Sequence, residues 1–218
     1  MSVGKLTQST KCVKVSLVTD APPQDSSTGS AVDERRARIH DAAIREFSER
    51  GFAGTSMGRI AESAGMSRPA LYQYFKNKDD LFASAFVALL QGCADRALTA
   101  LNGSGTTAQR LDGLLQGFEG DLWERLAASP HSAELISRKS ETQLHAAVDE
   151  VMLRFFDGVV TGVADLASLP RDDGRVGAWI ELLRLSPRGF KTEEPTVEVF
   201  RQRLTDLATM LAAAIDAT

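Results

Sequence analysis

The sequence has only two cysteines, Cys12 and Cys93, in 218 residues. Two such distant cysteines provide neither a disulfide framework nor the closely spaced thiol pairs of a zinc site. Neither Cys93 nor His145 has a recognisable motif partner, so the sequence offers no nucleophile paired with a base. Cys93 also lies on an apolar helical stripe, where a buried thiol is ordinary. We therefore expect no enzymatic activity, no cofactor and no metal centre.

Long apolar runs are also lacking. A membrane-spanning helix needs roughly 18 or more apolar residues, and Arg154 and Asp157 interrupt even the most apolar segment, 151–167. Lysines interrupt the short apolar patch at the N-terminus, and no continuous hydrophobic region of a signal peptide follows. These absences predict a cytoplasmic protein without membrane contact. No convincing β-strand and no internal repeat are visible.

Charge is unevenly distributed along the chain, which has 25 basic and 29 acidic side chains and a net charge of −4. Residues 33–80 hold nine basic and eight acidic side chains, whereas residues 81–218 hold thirteen and nineteen. The acidic excess in the C-terminal part argues against indiscriminate coating of nucleic acid, but it is compatible with a small local DNA interface. A hydrophobic content of 43% supports a core for one or two domains.

Residues 55–78 carry the pattern of a helix-turn-helix. Thr55 or Ser56 can cap a first helix, whose apolar stripe follows the spacing i, i+3, i+4, i+7: Met57, Ile60, Ala61 and Ala64. Gly65 stands where a helix end requires a positive φ. Ser67 can cap a second helix that has Pro69 in its first turn. Three side chains would hold this helix to its neighbours: Leu71, Tyr74 and Phe75. Such a helix can enter the major groove of DNA.

A third helix, predicted over residues 33–50, completes the core of this module, because two such short helices do not persist alone in water. Ile39, Ala43 and Phe47 line one of its faces at i, i+4 and i+8. Gly51 is predicted to end it.

The segment 35–89 resembles the N-terminal domain of the TetR/AcrR family of bacterial transcriptional regulators. The matching residues agree in register: Ala42-Ala43, Phe47, Gly51-Phe52, Thr55, Ile60-Ala61, Ala64-Gly65, Leu71-Tyr72, Tyr74-Phe75, Lys78 and Leu81. The resemblance implies an all-α fold of about nine helices. It implies a helix-turn-helix DNA-binding domain at 33–80 and an effector-binding and dimerisation domain at 81–218. It also implies three partners: a double-stranded DNA operator, a second copy of the chain and a small-molecule effector.

Residues 1–32 precede this module. Their second half is rich in Pro, Ser and Gly, which is typical of a linker and predicts a flexible N-terminal tail. A basic arm that contacts the minor groove is the alternative, and it depends on three lysines alone.

The helix faces and the resemblance together predict the DNA-binding residues. Arg68 is expected to read a guanine through its guanidinium, with phosphate contact as the alternative. Lys78 and the groups around Thr55 and Ser56 would bind phosphates. Gly58 replaces the longer side chain often found there, so no base contact is expected from this position. Two alternatives remain for Arg59, which either substitutes for it or reaches only phosphate. The predicted set is Thr55, Ser56, Arg59, Ser67, Arg68, Pro69, Ala70, Tyr72, Gln73, Tyr74 and Lys78.

Helical periodicity continues to the C-terminus. After a helix at 77–101, one helix is predicted before the Ser129-Pro130 stop, and others follow at 131–137, 139–167, 172–186 and 195–216. Large side chains on the middle helices predict an apolar ligand pocket with a few polar anchors, although each could be core: Phe86, Phe118, Trp123, His145, Met152 and Phe155. Glu141, His145 and Asp149 share a face that imitates metal ligands, and a solvated polar face fits the same spacing.

The last two helices carry apolar stripes, and the resemblance implies that this helix pair forms a dimer interface, with the monomer core as the alternative: Trp179, Leu183, Phe200, Leu204, Leu207 and Leu211. A dimer suits the function, because two recognition helices about one DNA turn apart read a palindrome. The resemblance thus implies a repressor that a small-molecule effector releases from a palindromic operator. The alternative is a helix-turn-helix protein without ligand control, for which the long second domain has no purpose.

Overall fold

The computed structural model describes residues 26–126, 129–132, 134–135 and 142–218. Within these ranges every regular element is helical, which confirms the predicted all-α fold. The α-helices are α1 (Ser26–Gly54), α2 (Met57–Ser63), α3 (Arg68–Leu71), α4 (Lys78–Leu101), α5 (Thr107–Leu115), α6 (Asp121–Leu126), α7 (Thr142–Ala167), α8 (Gly174–Phe190) and α9 (Val197–Asp216). A π-helical turn, Gln116–Gly120, joins α5 to α6.

Helix α1 is longer than its apolar pattern indicated. It begins at Ser26, before the predicted start at residue 33, so the end of the predicted tail is helical. The side chains of 31–38 are exposed, and the buried stripe begins at Ile39. An exposed extension has no apolar periodicity, which is why the pattern missed it. The rest of the predicted tail, residues 1–25, lies outside the described residues.

Gly51 interrupts α1 at the predicted position. Its backbone has φ 72° and ψ 170°, a region that is essentially restricted to glycine. A Cβ placed here would lie 2.8 Å from Glu134 Oε2 and 2.9 Å from His131 Nδ1. The glycine therefore permits both the bend in α1 and the close approach of the segment that follows α6.

We expect Gly51→Ala to lower the free energy of unfolding by about 1–3 kcal/mol, the cost of a strained backbone conformation. Urea denaturation followed by circular dichroism measures the change. Gly54→Ala is the matched control, because Gly54 has no positive φ and its nearest neighbour would be Arg50 Cβ at 3.5 Å. Equal stability of the two variants would contradict this role of Gly51.

Helix α4 joins the helix-turn-helix to the rest of the molecule. Near its start, Phe82 makes edge contacts with the rings of Phe47 and Phe52, with centroids 5.2 and 5.6 Å apart. Phe86, one turn later, stacks on Phe82 at 5.8 Å. The predicted boundary between residues 80 and 81 falls inside this continuous helix. A change in the tilt of α4 therefore moves the helix-turn-helix.

Beyond this junction, α4 packs side by side with α7, and α5 packs against α4 and α9. Two glycines of α7 allow a close approach at the C-terminal end of α4. A Cβ on Gly158 would lie 2.9 Å from Leu98, and a Cβ on Gly162 would lie 2.5 Å from Leu101. Since the residue numbers rise together in these contacts, α4 and α7 run in the same direction.

Two of the predicted C-terminal elements differ from the sequence prediction. Helix α8 continues through the buried Pro187 to Phe190, instead of ending at residue 186. The proline removes one helical hydrogen bond, and its buried ring packs against neighbouring side chains. The helix predicted before Ser129 is divided by the π-helical turn. The helix predicted at 131–137 lies partly outside the described residues.

Helix α4 is also, among the described residues, the one helix long and apolar enough to cross a membrane by length and composition. Half of the apolar stretch of α4 is buried inside the protein, as in the core helix of a globular domain.

Candidate DNA-binding surface

Helix α2 is formed and capped as the sequence predicted. The Ser56 hydroxyl accepts a hydrogen bond from the Arg59 amide at 3.3 Å. Met57, Ile60 and Ala61 are buried against α1 and α4. Arg59 remains exposed on the opposite side. The apolar stripe thus fixes which face of α2 points to solvent.

Gly65 makes the turn between α2 and α3, with φ 67°. The Met66 amide donates to the Ala61 carbonyl at 2.9 Å, and the Gly65 amide donates to the Glu62 carbonyl at 3.0 Å. This pair of bonds is a Schellman motif, which satisfies carbonyl groups at the helix end and requires a left-handed residue. The turn therefore has the geometry that the glycine predicted.

Ser67 caps the next segment, with its hydroxyl accepting from the Ala70 amide at 3.3 Å. Regular α-helix covers only Arg68–Leu71, with Pro69 in its first turn. Turn-type backbone bonds carry the chain on to Phe75. We call residues 67–75 the recognition segment. It is shorter as a regular helix than the spacing of its apolar residues indicated.

The recognition segment has one buried and one exposed side. Leu71 and Phe75 are buried at 0% and 3% exposure. Four side chains point to solvent: Arg68, Pro69, Tyr72 and Gln73. The Arg68 guanidinium lies 3.4 Å from the Tyr72 hydroxyl and 5.6 Å from the ring centroid. This arrangement leaves the predicted base-reading side chains accessible, and their contact with DNA stays a prediction.

The two half-buried members of this segment are Ala70 and Tyr74. Tyr74 packs partly against the core, so less of its side chain is available to DNA than of Tyr72. The sequence pattern is compatible with both a packing role and a DNA-binding role for Tyr74, and the packing role is the one that the structure displays.

Thr55 corrects the prediction of a phosphate ligand. Its side chain is only 2% exposed. The hydroxyl lies within hydrogen-bonding distance of two carbonyl oxygens of α1, that of Gly51 at 2.8 Å and that of Glu46 at 3.0 Å. Thr55 therefore fastens the end of α1 to the start of α2, and its hydroxyl is not free for DNA.

Lys78 has a similar internal role. Its ammonium donates to the carbonyl oxygens of Phe52 and Thr55 at 2.7 and 2.9 Å. It also lies 4.3 Å from the centroid of the Phe52 ring. Two of its three N–H donors are thus engaged within the protein. The predicted phosphate ligand is first of all a clamp between α4 and the end of α1.

We expect Lys78→Met to lower the free energy of unfolding by about 1–3 kcal/mol, because charge-assisted hydrogen bonds to two carbonyl groups are lost. Chemical denaturation without DNA measures this effect. The matched control is Lys76→Met, since Lys76 lies two residues before Lys78 and its side chain is exposed. Unchanged stability combined with weak DNA binding would instead show that Lys78 serves as a phosphate ligand.

Two residues of α1 that the sequence analysis did not select support the recognition segment. The Arg36 guanidinium and the His40 ring each lie 5.6 Å from the centroid of Phe75. His40 Nε2 is hydrogen-bonded to the Ser84 hydroxyl of α4 at 2.9 Å. Burial, reinforced by the charge of Arg36, lowers the pKa of His40, while Asp41 acts in the opposite direction. Their i, i+4 spacing on α1 was the available signal.

The predicted ligand residues do not form one pocket. Phe118 and Phe155 stack at 4.2 Å and line a small, mainly apolar cavity between α5, α7 and α8, together with Leu114, Leu115, Phe156, Val159 and Leu183 and with Glu119 and Arg184 at its edge. We call this the inner cavity. Its volume is about 30 Å³, room for about two water molecules. Ligand pockets typically need about 300 Å³ or more, so the inner cavity is collapsed.

The other four predicted ligand residues lie elsewhere. Phe86 is in the junction between α1 and α4. Trp123 packs on Phe200 with ring centroids 5.0 Å apart. Met152 is half-buried and does not line the inner cavity. His145 is exposed and lies 3.3 Å from Asp149, so it is not a pocket anchor.

The acidic and histidine face of α7 is a solvated surface. His145 and Asp149 have side-chain exposures of 63% and 56%, and Glu141 lies outside the described residues. No group of three or more metal-ligating side chains occurs within the described part of the chain.

The predicted dimer residues are core residues of the single chain. All six are buried: Trp179, Leu183, Phe200, Leu204, Leu207 and Leu211. The alternative of the monomer core is therefore the correct one for these stripes. The same two helices expose other large apolar side chains to solvent: Leu182, Leu185, Val199 and Met210.

Comparison with known proteins identifies the helix-turn-helix. Residues 39–85 match the model of the tetR family of bacterial regulatory proteins. A segment of 56 residues is 46% identical to the HTH-type transcriptional regulator AcrR of Shigella flexneri, and it covers 26% of this chain and 26% of AcrR. The matched segment thus spans about a quarter of that relative. The fatty acid metabolism regulator protein of Bacillus subtilis is 23% identical over 186 residues, which cover 82% of this chain and 91% of that protein.

Solved structures extend the likeness of fold to the second domain. A TetR-family transcriptional regulator from Mesorhizobium loti superposes with a TM-score of 0.61 at 18% identity, covering 84% of this chain and 96% of that one. The fatty acid degradation regulator FadR from Bacillus halodurans gives a TM-score of 0.52 at 19% identity, covering 82% and 94%. At these identities the likeness concerns the fold alone. The chain thus has a helix-turn-helix that matches the tetR family of bacterial regulatory proteins, followed by an all-helical second domain with the fold of these solved regulators.

Proposed function

We propose that this chain is a homodimeric transcriptional repressor of the bacterial cytoplasm that binds a palindromic operator and is released by an apolar small-molecule effector. The observation that carries the proposal is the two-sided recognition segment. Leu71 and Phe75 fix it to the core, while Arg68, Tyr72 and Gln73 remain exposed. Exposed groups held by a buried anchor are what reading of base edges requires.

DNA contacts follow from the exposed chemistry. Arg68 pairs with guanine O6 and N7 in the major groove. Pro69 and Ala70 lie against the groove floor, where a thymine methyl group is the matching apolar contact. Tyr72, Gln73, Arg59 and the hydroxyl of Ser56 complete the contacts to backbone or bases, in place of Thr55 and Lys78. Lys76 adds an exposed positive charge beside the segment.

A second copy of the chain covers the exposed apolar side chains of α8 and α9. Leu182 and Leu185 are 48% and 47% exposed at a spacing of i, i+3, and Met210 on α9 is 64% exposed. Large apolar groups left in water on neighbouring elements favour association. Pairing through these helices holds two recognition segments in one molecule, as palindromic DNA demands.

Effector control acts through α4, which packs in both domains. The effector must bind better to the conformation whose recognition segments are wrongly spaced for DNA. The collapsed inner cavity supports this requirement, because a ligand cannot enter without separating Phe118 from Phe155. A further link between the domains lies at Ser129, whose hydroxyl donates to the Ser48 carbonyl of α1 at 2.5 Å.

The test is reciprocal binding. An operator is first selected from random DNA, and candidate effectors are then titrated into the protein with and without it. Fatty-acyl compounds are the first candidates, since a Bacillus subtilis relative is called a fatty acid metabolism regulator protein. We expect an effector to weaken operator binding and the operator to weaken effector binding by the same factor. Specific operator binding that none of the compounds changes would favour the alternative, a helix-turn-helix protein without ligand control.

A further inference from the structure

A second cavity lies between α4 and α7, beside the inner cavity. It is an open cleft of about 380 Å³, with Ala94 and Val151 at its floor and Gln91, Asp95 and Arg154 around its rim. None of these residues takes part in the contacts assigned above. Gln91, Ala94 and Asp95 follow the spacing i, i+3, i+4 on α4, so they share one face of that helix.

Phe155 separates this cleft from the inner cavity, because it lines both. Its ring stacks on Phe118 at 4.2 Å with an interplanar angle of 15°. The Phe155 side chain is therefore a wall that the cleft shares with the small apolar inner cavity. A rotation of this side chain would join the two volumes.

The shape of the cleft follows from the way α4 and α7 pack. At the C-terminal end of α4 the helices touch closely, where Gly158 and Gly162 meet Leu98 and Leu101. The cleft itself lies further towards the N-terminal end of α4, around Gln91. The helices thus form a wedge that is closed at the glycines and open on the side of the helix-turn-helix.

The rim carries charges of both signs. Arg154 lies 3.4 Å from Glu150, and Asp95 lies across the cleft on α4. Of the residues that line the cleft, Asp95 and Arg154 carry one charge of each sign, so the rim has no net charge and suits an uncharged polar group better than a single charge. Gln91 adds an amide that can both donate and accept hydrogen bonds.

From this juxtaposition we propose that the effector enters through the α4–α7 cleft, with Phe155 as the gate. The ligand is an elongated amphipathic molecule. Its apolar end replaces the Phe155 ring against Phe118, and its uncharged polar head group remains at Gln91, Asp95 and Arg154. This proposal rests on the effector function proposed above and adds the route and the chemistry of the ligand.

Stopped-flow fluorescence with the uncharged apolar dye N-phenyl-1-naphthylamine tests the route. We expect Gln91→Trp, which fills the mouth of the cleft, to slow dye association at least ten-fold. Phe155→Leu, which leaves a smaller gate, should accelerate it several-fold. Leu153→Trp is the matched control, because Leu153 is 73% exposed on α7 and does not line the cleft. Circular dichroism establishes that each variant is folded before its rate is compared.

Competition for the bound dye tests the head group. We expect 1-decanol to displace the dye at a concentration several-fold below that required of decanoate, and Asp95→Asn to reduce this difference. Equal association rates in Gln91→Trp and Leu153→Trp would overturn the route, and better displacement by decanoate would overturn the head-group assignment. If the wild-type chain binds the operator but shows no saturable dye binding, the proposed effector site itself is wrong.

Discussion

Arg68→Ala is expected to weaken operator binding by roughly 100-fold or more. A bidentate arginine–guanine pair contributes about 1–3 kcal/mol, and a dimer loses two such pairs. The guanidinium is exposed and is held beside the Tyr72 ring, so the side chain contributes little to the fold. Fluorescence anisotropy with labelled operator at fixed salt measures the affinity, and specificity at the contacted base pair should relax at the same time.

The matched control for Arg68 is Arg50→Ala. Arg50 is an exposed arginine of the same domain, paired with Glu46 on α1 at 3.1 Å and distant from the recognition segment in sequence. The Arg50→Ala substitution removes one positive charge per chain without removing a proposed base contact. A similar small loss of affinity in both variants, with unchanged sequence preference, would show that Arg68 contributes only general attraction to phosphate.

Leu185→Asp is expected to convert the dimer into monomers and to weaken operator binding by roughly 100-fold or more. Two linked recognition segments bind far more tightly than either alone, because the second binding event is intramolecular. A charge placed within an apolar interface must be desolvated or left without a partner. Analytical ultracentrifugation measures the association state, and anisotropy with full and half operators measures the DNA affinity.

Leu153→Asp serves as the control for this variant, since Leu153 is even more exposed but lies on α7. We expect it to leave the association state unchanged. If Leu185→Asp remains dimeric at the concentrations where the wild-type chain is dimeric, α8 does not form the interface. If the wild-type chain is itself monomeric while it binds the operator, the dimeric account is wrong.

The helix-turn-helix could be predicted from the sequence because its signals are local. Ser56 and Ser67 accept the amide bonds expected of caps, and Gly65 has the positive φ expected of the turn. Each of these features depends on residues within a few positions of one another. The buried side of the recognition segment likewise follows from the spacing of Leu71 and Phe75.

Partners of apolar faces could not be predicted in this way. Periodicity identified the stripe that contains Leu183 and Leu204 but could not tell whether α5 and α7 or a second chain covers it. The structure shows that both residues are buried within one chain. The exposed Leu182 and Leu185 lie beside these stripes and were overlooked, because one pair at i, i+3 is too short to mark a second apolar face.

Thr55 and Lys78 illustrate a second limit. Both are polar residues next to the recognition segment, and their type and position fit a phosphate ligand. Their actual partners are the carbonyl groups of Gly51, Phe52 and Thr55, which the bend at Gly51 brings within reach. Such tertiary hydrogen bonds depend on a backbone geometry that the residues adjacent in sequence do not specify.

The ligand pocket shows a third limit, since the sequence could name large apolar residues but not the space between them. Phe118 and Phe155 meet as predicted, yet they fill the space that they were expected to enclose. Trp123 and Met152 are large apolar residues of the same kind, but neither lines the inner cavity. The volume of a cavity depends on small displacements of whole helices.

Selection of binding sites from random double-stranded DNA by the purified full-length chain tests the central claim most directly. We predict an enriched palindrome whose half-sites are separated by about one turn of DNA, with a guanine in each half-site whose enrichment disappears in Arg68→Ala. An enriched sequence without two-fold symmetry, or no enrichment above the starting pool, would contradict the account of a dimeric reader of operator DNA.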